Sequence, residues 1–385
     1  MTVFLFIFAA AGLAILLLHL GLAFGILLNL KRSASRDRAG ASGRRPAAEV
    51  IVAVRNEAAN LGPLLRSLRE QDEPGCLFLF VDDKSTDETP EILREFCASM
   101  GGRARVICST ESPRGLTGKQ TALDIAFADC RGEVLLFTDG DCILEKGWVR
   151  GIVDCFEMPE IDVVLGRVEL QTDGSFLSRF QAFEQPLINQ YNLGSAAMGL
   201  PTGCFGNNMA ARSASIRSAG GFSRIGYSVT EDAALLSALS KRPGARVCVA
   251  TDAQTVVRTR PKESWREYIN QHTRWNAGAF FSRDIMTRAP YSFIVTYLII
   301  CMLALPFGIL DWRIALLSIN AFLSIGILGL AGGLYAGIRR GFYYARLIPY
   351  VVFFGFFYSY VSLRAILRRP FEWKGSMMES RKLRD

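Results

Sequence analysis

The chain has 385 residues, half of them hydrophobic, and carries a formal net charge of +8. That length allows one large domain with membrane segments, or two domains. The positive balance does not signal nucleic acid. Lys31, Arg32, Arg36, Arg38, Arg44 and Arg45 follow the first apolar run, and Arg364, Arg368, Arg369, Lys374, Arg381, Lys382 and Arg384 crowd the end. Basic residues beside spans mark the cytoplasmic side and attract anionic headgroups. Nine cysteines at irregular spacing, with no CxxC pair and only two histidines, argue against a structural zinc site or a disulfide framework. They read as reduced, mostly buried thiols of a cytosolic domain.

From Val3 to Leu30 only His19 and Asn29 interrupt the apolar run, which exceeds the ~20 residues a bilayer requires. No small-residue cleavage site precedes a polar mature start, so the segment reads as an anchor. Residues 31–48 read as a basic polar linker. From Glu49 onward strands alternate with helices. Glu49–Val54, Cys76–Val81, Ala104–Cys108 and Glu133–Thr138 are predicted strands; Asn60–Glu70 and Lys119–Ala128 are predicted helices. Leu61, Leu64, Leu65 and Leu68 share one helical face. The alternation predicts an α/β domain with a doubly wound, mostly parallel sheet.

Beyond Asp141 the pattern loosens. Asp162–Gln171 is strand-like, Phe176–Ala197 contains a long helix, Thr202–Asn208 reads as loop or strand edge, and Thr230–Ser240 and Ser264–Ala277 read as helices. Ser292–Leu310, Ile314–Ile338 and Tyr343–Leu363 are again apolar. The expected organisation is 1–30 transmembrane helix, 31–48 linker, 49–288 catalytic domain with interfacial helices, 289–368 membrane segments and 369–385 basic tail. With both basic clusters cytosolic, the N-terminus lies outside and Ser292–Ile338 forms a two-span hairpin. The Tyr343–Leu363 segment is then re-entrant or interfacial and the tail cytosolic; the plainer alternative is a simple third span with an exported tail.

Three acidic clusters stand out. Asp82 and Asp83 end a strand, where an open α/β sheet places its ligand crevice. They suit hydrogen bonds from a base or ribose, and equally a turn with Ser85, Thr86 and Asp87. Asp139-Gly140-Asp141 puts two carboxylates one residue apart after a buried strand. That pattern suits one hard cation that completes its shell with phosphates and water. In Thr230-Glu231-Asp232, Asp232 suits a general base for an acceptor hydroxyl; the plainer reading is Thr230 as N-cap with acids in the first turn. Lys119 after Gly118 reaches phosphate or ribose, or is a solvated helix-start lysine. Gln271, Arg274 and Trp275 fall on one helical face. Arg274 suits phosphate and Trp275 offers a flat apolar surface, although an amphipathic interfacial helix has the same pattern. His272 points off that face and receives no chemistry.

Together these pieces resemble family 2 glycosyltransferases, both the ceramide-glucosyltransferase type and the processive QxxRW type. The matching segments are Val54-Arg55-Asn56-Glu57, Val81 to Asp87, Gly118 to Leu123, Thr138 to Asp141, Gly203 to Asn208, Thr230 to Asp232 and Gln271 to Trp275. The resemblance implies an inverting enzyme of GT-A fold. It implies that Val54, Asn56, Glu57 and Asp83 line a nucleoside pocket that usually holds uridine, with Lys119 and Asp139 also at the nucleotide. Asp141 and Asp139 then bind Mg²⁺ or Mn²⁺ with the diphosphate, and Asp232 is the base. Gln271, Arg274 and Trp275 hold diphosphate and acceptor, and Phe205, Gly206 and Asn207 face the acceptor. Lys84 departs from the family pattern, which commonly has Gly there, and puts a charge near the nucleotide. The expected protein is an integral membrane enzyme of the bacterial inner membrane with a cytosolic catalytic domain. It takes a UDP-sugar donor and a lipid acceptor, with no nucleic-acid partner. A processive polysaccharide synthase and a non-catalytic nucleotide-binding scaffold are the alternatives.

Overall fold

A computed structural model describes residues 2–39, 44–109, 116, 118–338, 341–373 and 376–378. The chain divides into two compact units. One comprises Leu28–Gln171 and Gly199–Arg260; the other comprises Met1–Leu27, Thr172–Met198 and Pro261–Asp385.

The first unit contains β1 (Ala48–Val54), β2 (Leu77–Asp82), β3 (Ala104–Cys108), β4 (Val134–Asp139), β5 (Ile143–Leu144), β6 (Ile161–Leu165), β7 (Val168–Leu170), β8 (Met209–Arg212), β9 (Arg246–Val249) and β10 (Val257–Thr259). The main sheet is 7-stranded, in the order β3-β2-β1-β4-β8-β6-β9. Strands β1 to β4 are parallel to one another, and β8 runs antiparallel to both its neighbours. β1, β2 and β4 are almost wholly buried, which explains their continuous Val, Leu, Ile and Phe runs: a parallel sheet covered on both faces has no polar side. The helix Ala58–Arg69 buries Leu61, Leu64, Leu65 and Leu68 in the same core as Val50, Val52 and Val54.

Strand order reverses between β1 and β4, the switch point where α/β sheets open a crevice at their carboxyl ends. Register brings Val54 opposite Asp82, Ala53 opposite Asp139 and Asp82 opposite Cys108. The carboxylates singled out at two strand ends therefore lie along one edge.

Three local expectations are corrected. The stretch Asp162–Gln171 is two strands, with β6 in the main sheet and β7 paired to β10 in a second sheet. The break falls at Gly166, where a Cβ would come 2.4 Å from the Asn208 side chain. The first helix runs Thr2–Ala39, past Leu30 and through half of the expected linker. No Gly or Pro occurs between Leu30 and Ala39, and Gly40, Gly43 and Pro46 follow. Arg44 and Arg45 are paired with carboxylates of the first unit. Arg44 pairs with Glu133 at 2.6 Å, and Arg45 pairs with Glu73, Asp154 and Glu157 at 2.7, 2.5 and 2.8 Å. The side chains of Lys31, Arg32, Arg36 and Arg38, together with Lys374 and the tail arginines and lysine from Arg381 on, lie outside the described residues.

Lys84 sits at φ +57°, in the left-handed region that costs an L-residue roughly 1–2 kcal/mol. Glycine, which adopts this conformation without strain, would meet that backbone demand. Lys84→Gly is expected to raise the thermal midpoint of the detergent-solubilised chain by roughly 1–3 °C, since glycine's greater unfolded freedom returns only ~0.5–1 kcal/mol of that cost. An unchanged or lower midpoint in scanning calorimetry would contradict this.

The second unit is helical. Phe6–Asn29, Ile285–Ile309, Trp312–Tyr335 and Leu347–Ile366 are long and apolar enough to cross a membrane. Large apolar side chains such as Phe6, Leu17, Leu323 and Ile348 are exposed on them, as lipid-facing helices require. The segment expected to be re-entrant or interfacial is one unbroken helix, Leu347–Ile366. Its Pro349 falls in the first turn, where a missing N–H breaks no helical bond. Two further helices, Phe176–Ala197 and Trp265–Phe280, pack with these in one apolar core that includes Phe180, Phe183, Tyr268, Tyr350 and Phe357. Residues Phe371–Trp373 and Ser376–Met378 pair as a short antiparallel ladder.

Candidate active site

The carboxyl edge of the main sheet gathers most of the residues expected to carry chemistry. Val54 is the buried last residue of β1. The tight turn after β4 packs on it: a Cβ at Gly140 would come 3.1 Å from Glu57 Cγ and 3.3 Å from Val54 Cγ1. Val54, Glu57 and the Asp139-Gly140-Asp141 turn are thus neighbours. Asn56 is exposed and adopts φ +52°, a conformation asparagine tolerates better than most residues. Its Oδ1 accepts a bond from the Thr86 amide at 2.8 Å, and its own amide donates to Ser85 Oγ at 2.9 Å. In this structure Asn56 therefore clips the loop after β1 to the loop after β2.

Asp82 and Asp83 separate in role. Asp82 Oδ1 accepts from the Ser85 amide at 3.3 Å, the turn-forming use. Asp83 is also buried; its Oδ1 accepts from Ser109 Oγ at 2.8 Å, which fixes the carboxylate at the mouth of the edge formed by β1, β2 and β3.

The centre of the site is an ammonium among carboxylates. Lys119 opens the helix Lys119–Asp129. Its Nζ lies 2.6 Å from Asp139 Oδ1 and 3.5 Å from Glu231 Oε1. Burial opposes the charge of Lys119, but the carboxylates of Asp139, Glu231 and Asp232 more than offset it and hold the ammonium well above its ordinary pKa. Lys119 is therefore not a solvated helix-start lysine. It connects the end of β4 to the start of the helix Glu231–Ser240.

That helix begins without the expected cap. The Thr230 side chain makes no capping bond. Asp232 is instead held from two sides: its Oδ2 accepts from the Gly206 amide and its Oδ1 from the Ala233 amide, both at 2.8 Å. The segment Phe205-Gly206-Asn207 thereby reaches Asp232 through backbone. Asn207 Nδ2 donates to Cys142 Sγ at 3.4 Å, below the Asp139–Asp141 turn. A narrow cavity lined by Lys119, Thr138, Gly206, Phe222, Glu231 and Asp232, among others, opens here. Burial, reinforced by neighbouring carboxylates, pushes the thiols of Cys142 and Cys204 well above their ordinary pKa. They are neutral thiols, and nucleophilic chemistry does not fall to them.

Asp139 and Asp141 offer hard oxygen donors of the kind Mg²⁺ and Mn²⁺ accept, and two protein carboxylates suffice where phosphates and water complete the shell. Among the described residues no group of three His, Cys, Asp or Glu side chains is placed to enclose a metal. The donor set fits a cation shared with a bound diphosphate.

Gln271, Arg274 and Trp275 lie in the second unit, on the helix Trp265–Phe280, and all three are partly exposed. His272 is buried beside them and meets Glu184, a contact sequence reasoning did not find. Its one signal was an ionisable residue, Glu184, in the middle of a helix otherwise suited to burial.

The fold is one already known. The mannosyltransferase PcManGT from Pyrobaculum calidifontis, solved in complex with GDP-Man and Mn²⁺, superposes with a TM-score of 0.54 over 94% of this chain and 99% of its own, at 18% identity. A mixed sheet of this order is that of the GT-A fold. The family models agree: glycosyl transferase family 2 matches residues 49–217, and glycosyl transferase family group 2 matches residues 134–361, more than half of the chain. The chain belongs to the family 2 glycosyltransferases. Curated relatives match a smaller part of the chain. The glycosyltransferase AglE of Haloferax volcanii is 28% identical over 142 residues, 36% of this chain and 45% of the relative. A beta-monoglucosyldiacylglycerol synthase of Nostoc sp. is 25% identical over 193 residues, 49% of this chain and 40% of the relative. The matched part spans less than half the length of each of these relatives.

Proposed function

We propose that this protein is an inverting, membrane-embedded glycosyltransferase that moves a sugar from a UDP-sugar to a hydroxyl of a membrane lipid. The observation that carries the reading is the linkage of Asp139, Lys119, Glu231 and Asp232 at the carboxyl edge of the sheet. It sets a candidate base beside the carboxylates suited to a metal and diphosphate. The apolar helices and the likeness to a glucosyldiacylglycerol synthase favour an acceptor that stays in the bilayer.

In this reading Val54, Asn56, Glu57 and Asp83 border the nucleoside, and Lys119 and Asp139 stand at its phosphates. Asp139 and Asp141 would hold Mg²⁺ or Mn²⁺, which supplies charge neutralisation for the leaving diphosphate. Asp232 takes the proton of the acceptor hydroxyl. That oxygen attacks the anomeric carbon from the face opposite the diphosphate, the bond from that carbon to the phosphate oxygen breaks, and its electron pair leaves with the nucleotide. Gln271, Arg274 and Trp275 bind diphosphate and acceptor. The catalytic unit is cytosolic, where nucleotide sugars are made.

Gly206 follows as a positioning residue. A Cβ there would lie 2.8 Å from Asp232 Oδ2 and 2.9 Å from its Cβ, so the carboxylate must move. Gly206→Ala is expected to lower turnover roughly 10²-fold, the scale of an ångström-sized misplacement, with nucleotide affinity little changed. Near-normal turnover would show that the Asp232 position is not limiting.

The reading is tested by incubating membranes containing the full chain with UDP- and GDP-sugars and extracted lipids, then weighing the products. A single added hexose on a lipid is the expected result. Long polymers would favour the processive alternative, and no transfer with any donor would overturn the assignment.

A further inference from the structure

The helix Trp265–Phe280 carries a second set of polar residues on a neighbouring stripe. Tyr268, His272 and Asn276 recur every fourth position and are all at most 2% exposed. Glu184, on the helix Phe176–Ala197, is equally buried. The Tyr268 hydroxyl donates to Glu184 Oε2, and His272 Nε2 lies 2.7 Å from Glu184 Oε1. His272 Nδ1 faces the carbonyl oxygen of Tyr268 at 3.0 Å. A carbonyl only accepts, so Nδ1 carries a proton and the Nε2–Glu184 contact shares another. One turn further, Asn276 Oδ1 accepts from Tyr291 and Ser362 hydroxyls, both at 2.6 Å, and its Nδ2 donates to the His272 carbonyl at 2.7 Å.

This one stripe thus bonds to three surrounding helices, Phe176–Ala197, Ile285–Ala304 and Leu347–Ile366. Apolar packing is non-directional and tolerates a slide or a turn of a helix; buried hydrogen bonds do not, because each broken one leaves an unpaired group in the interior. The network therefore fixes the rotation of this helix. It also touches the functional face directly, since the His272 ring packs 5.0 Å from the Trp275 ring.

We infer that Glu184 and His272, with Tyr268 and Asn276, are positioning residues. They set the rotation of the helix that carries Gln271, Arg274 and Trp275. The inference rests on the proposed role of Arg274 in binding the nucleotide diphosphate.

The test measures UDP affinity, with Mn²⁺ present, of the detergent-solubilised full chain by calorimetry. Glu184→Ala is expected to weaken UDP binding about tenfold or more, the loss that follows when a charge-assisted phosphate contact is mis-aimed. Tyr268→Phe removes one hydroxyl and no packing, so it keeps the fold if Glu184→Ala does not, and should weaken binding in the same direction. Glu184→Gln should restore near-normal affinity. Its carbonyl still accepts from Tyr268, and its amide donates to a His272 Nε2 that has given up its proton. Arg274→Ala is the control. If it weakens UDP binding while Tyr268→Phe and a folded Glu184→Ala bind normally, the inference falls and the Arg274 reading stands. If Arg274→Ala binds UDP normally, the Arg274 reading falls and takes the inference with it. Equal losses in Glu184→Gln and Glu184→Ala also overturn it, because a positioning bond survives in the amide.

Discussion

Asp232→Asn is expected to abolish sugar transfer while leaving UDP-sugar binding close to normal. The substitution is nearly isosteric. The carbonyl oxygen of the new side-chain amide can still accept one of the two backbone bonds that Gly206 and Ala233 now give the carboxylate, so the start of the helix Glu231–Ser240 stays in place. What is lost is a group able to take a proton, and general-base catalysis contributes typically ~10²–10⁴-fold. Glu231 is the adjacent carboxylate, but it is buried and turned to Lys119. The decisive measurement is turnover against donor affinity in the same preparation. A variant that transfers sugar at a near-normal rate would move the base to another residue, with Glu231 the first to examine.

Asp141→Asn should be comparably severe, and its loss should be mimicked by removing metal. A leaving diphosphate needs its charge neutralised, and a bound cation contributes several kcal/mol to that, which at ~1.4 kcal/mol per decade is two or more orders of magnitude in rate. Lys119 cannot replace it, because its ammonium is already committed to Asp139 and Glu231. Direct Mn²⁺ binding to the nucleotide-bound protein should weaken in Asp141→Asn, with thermal unfolding unchanged. Full activity of the unaltered chain in excess EDTA would remove the metal from the mechanism.

The strands were legible because a parallel sheet buried on both faces demands unbroken apolar runs. β1, β2 and β4 each fall within one residue of expectation at either end. The long helix Phe176–Ala197 and the apolar membrane-length helices were legible for the same reason: local periodicity and length suffice when a segment is buried uniformly. The splitting of Asp162–Gln171 was not. Its cause is the Asn208 side chain, which donates to the Arg167 carbonyl at 2.7 Å and is 41 positions away; no local pattern announces it. Arg45 shows the same limit. Its place in a basic run suggested headgroups, and its three carboxylate partners come from distant loops and helices.

By itself the sequence determined the first four strands, the longer helices, the apolar segments and the residue types available for chemistry, because these follow from composition and from periods of two and 3.6 residues. The resemblance to a family, and not the sequence alone, marked Lys84 as unusual, and the backbone at φ +57° supplies the reason. Only the tertiary structure decided what those residues are joined to. It turned Lys119 into a link between Asp139 and Glu231, made the Gly206 amide a support for Asp232, and gave His272 a buried partner in Glu184. Each of these is a pairing of groups remote in the chain, enforced because a charge or polar group taken out of water must find its complement wherever the fold delivers one.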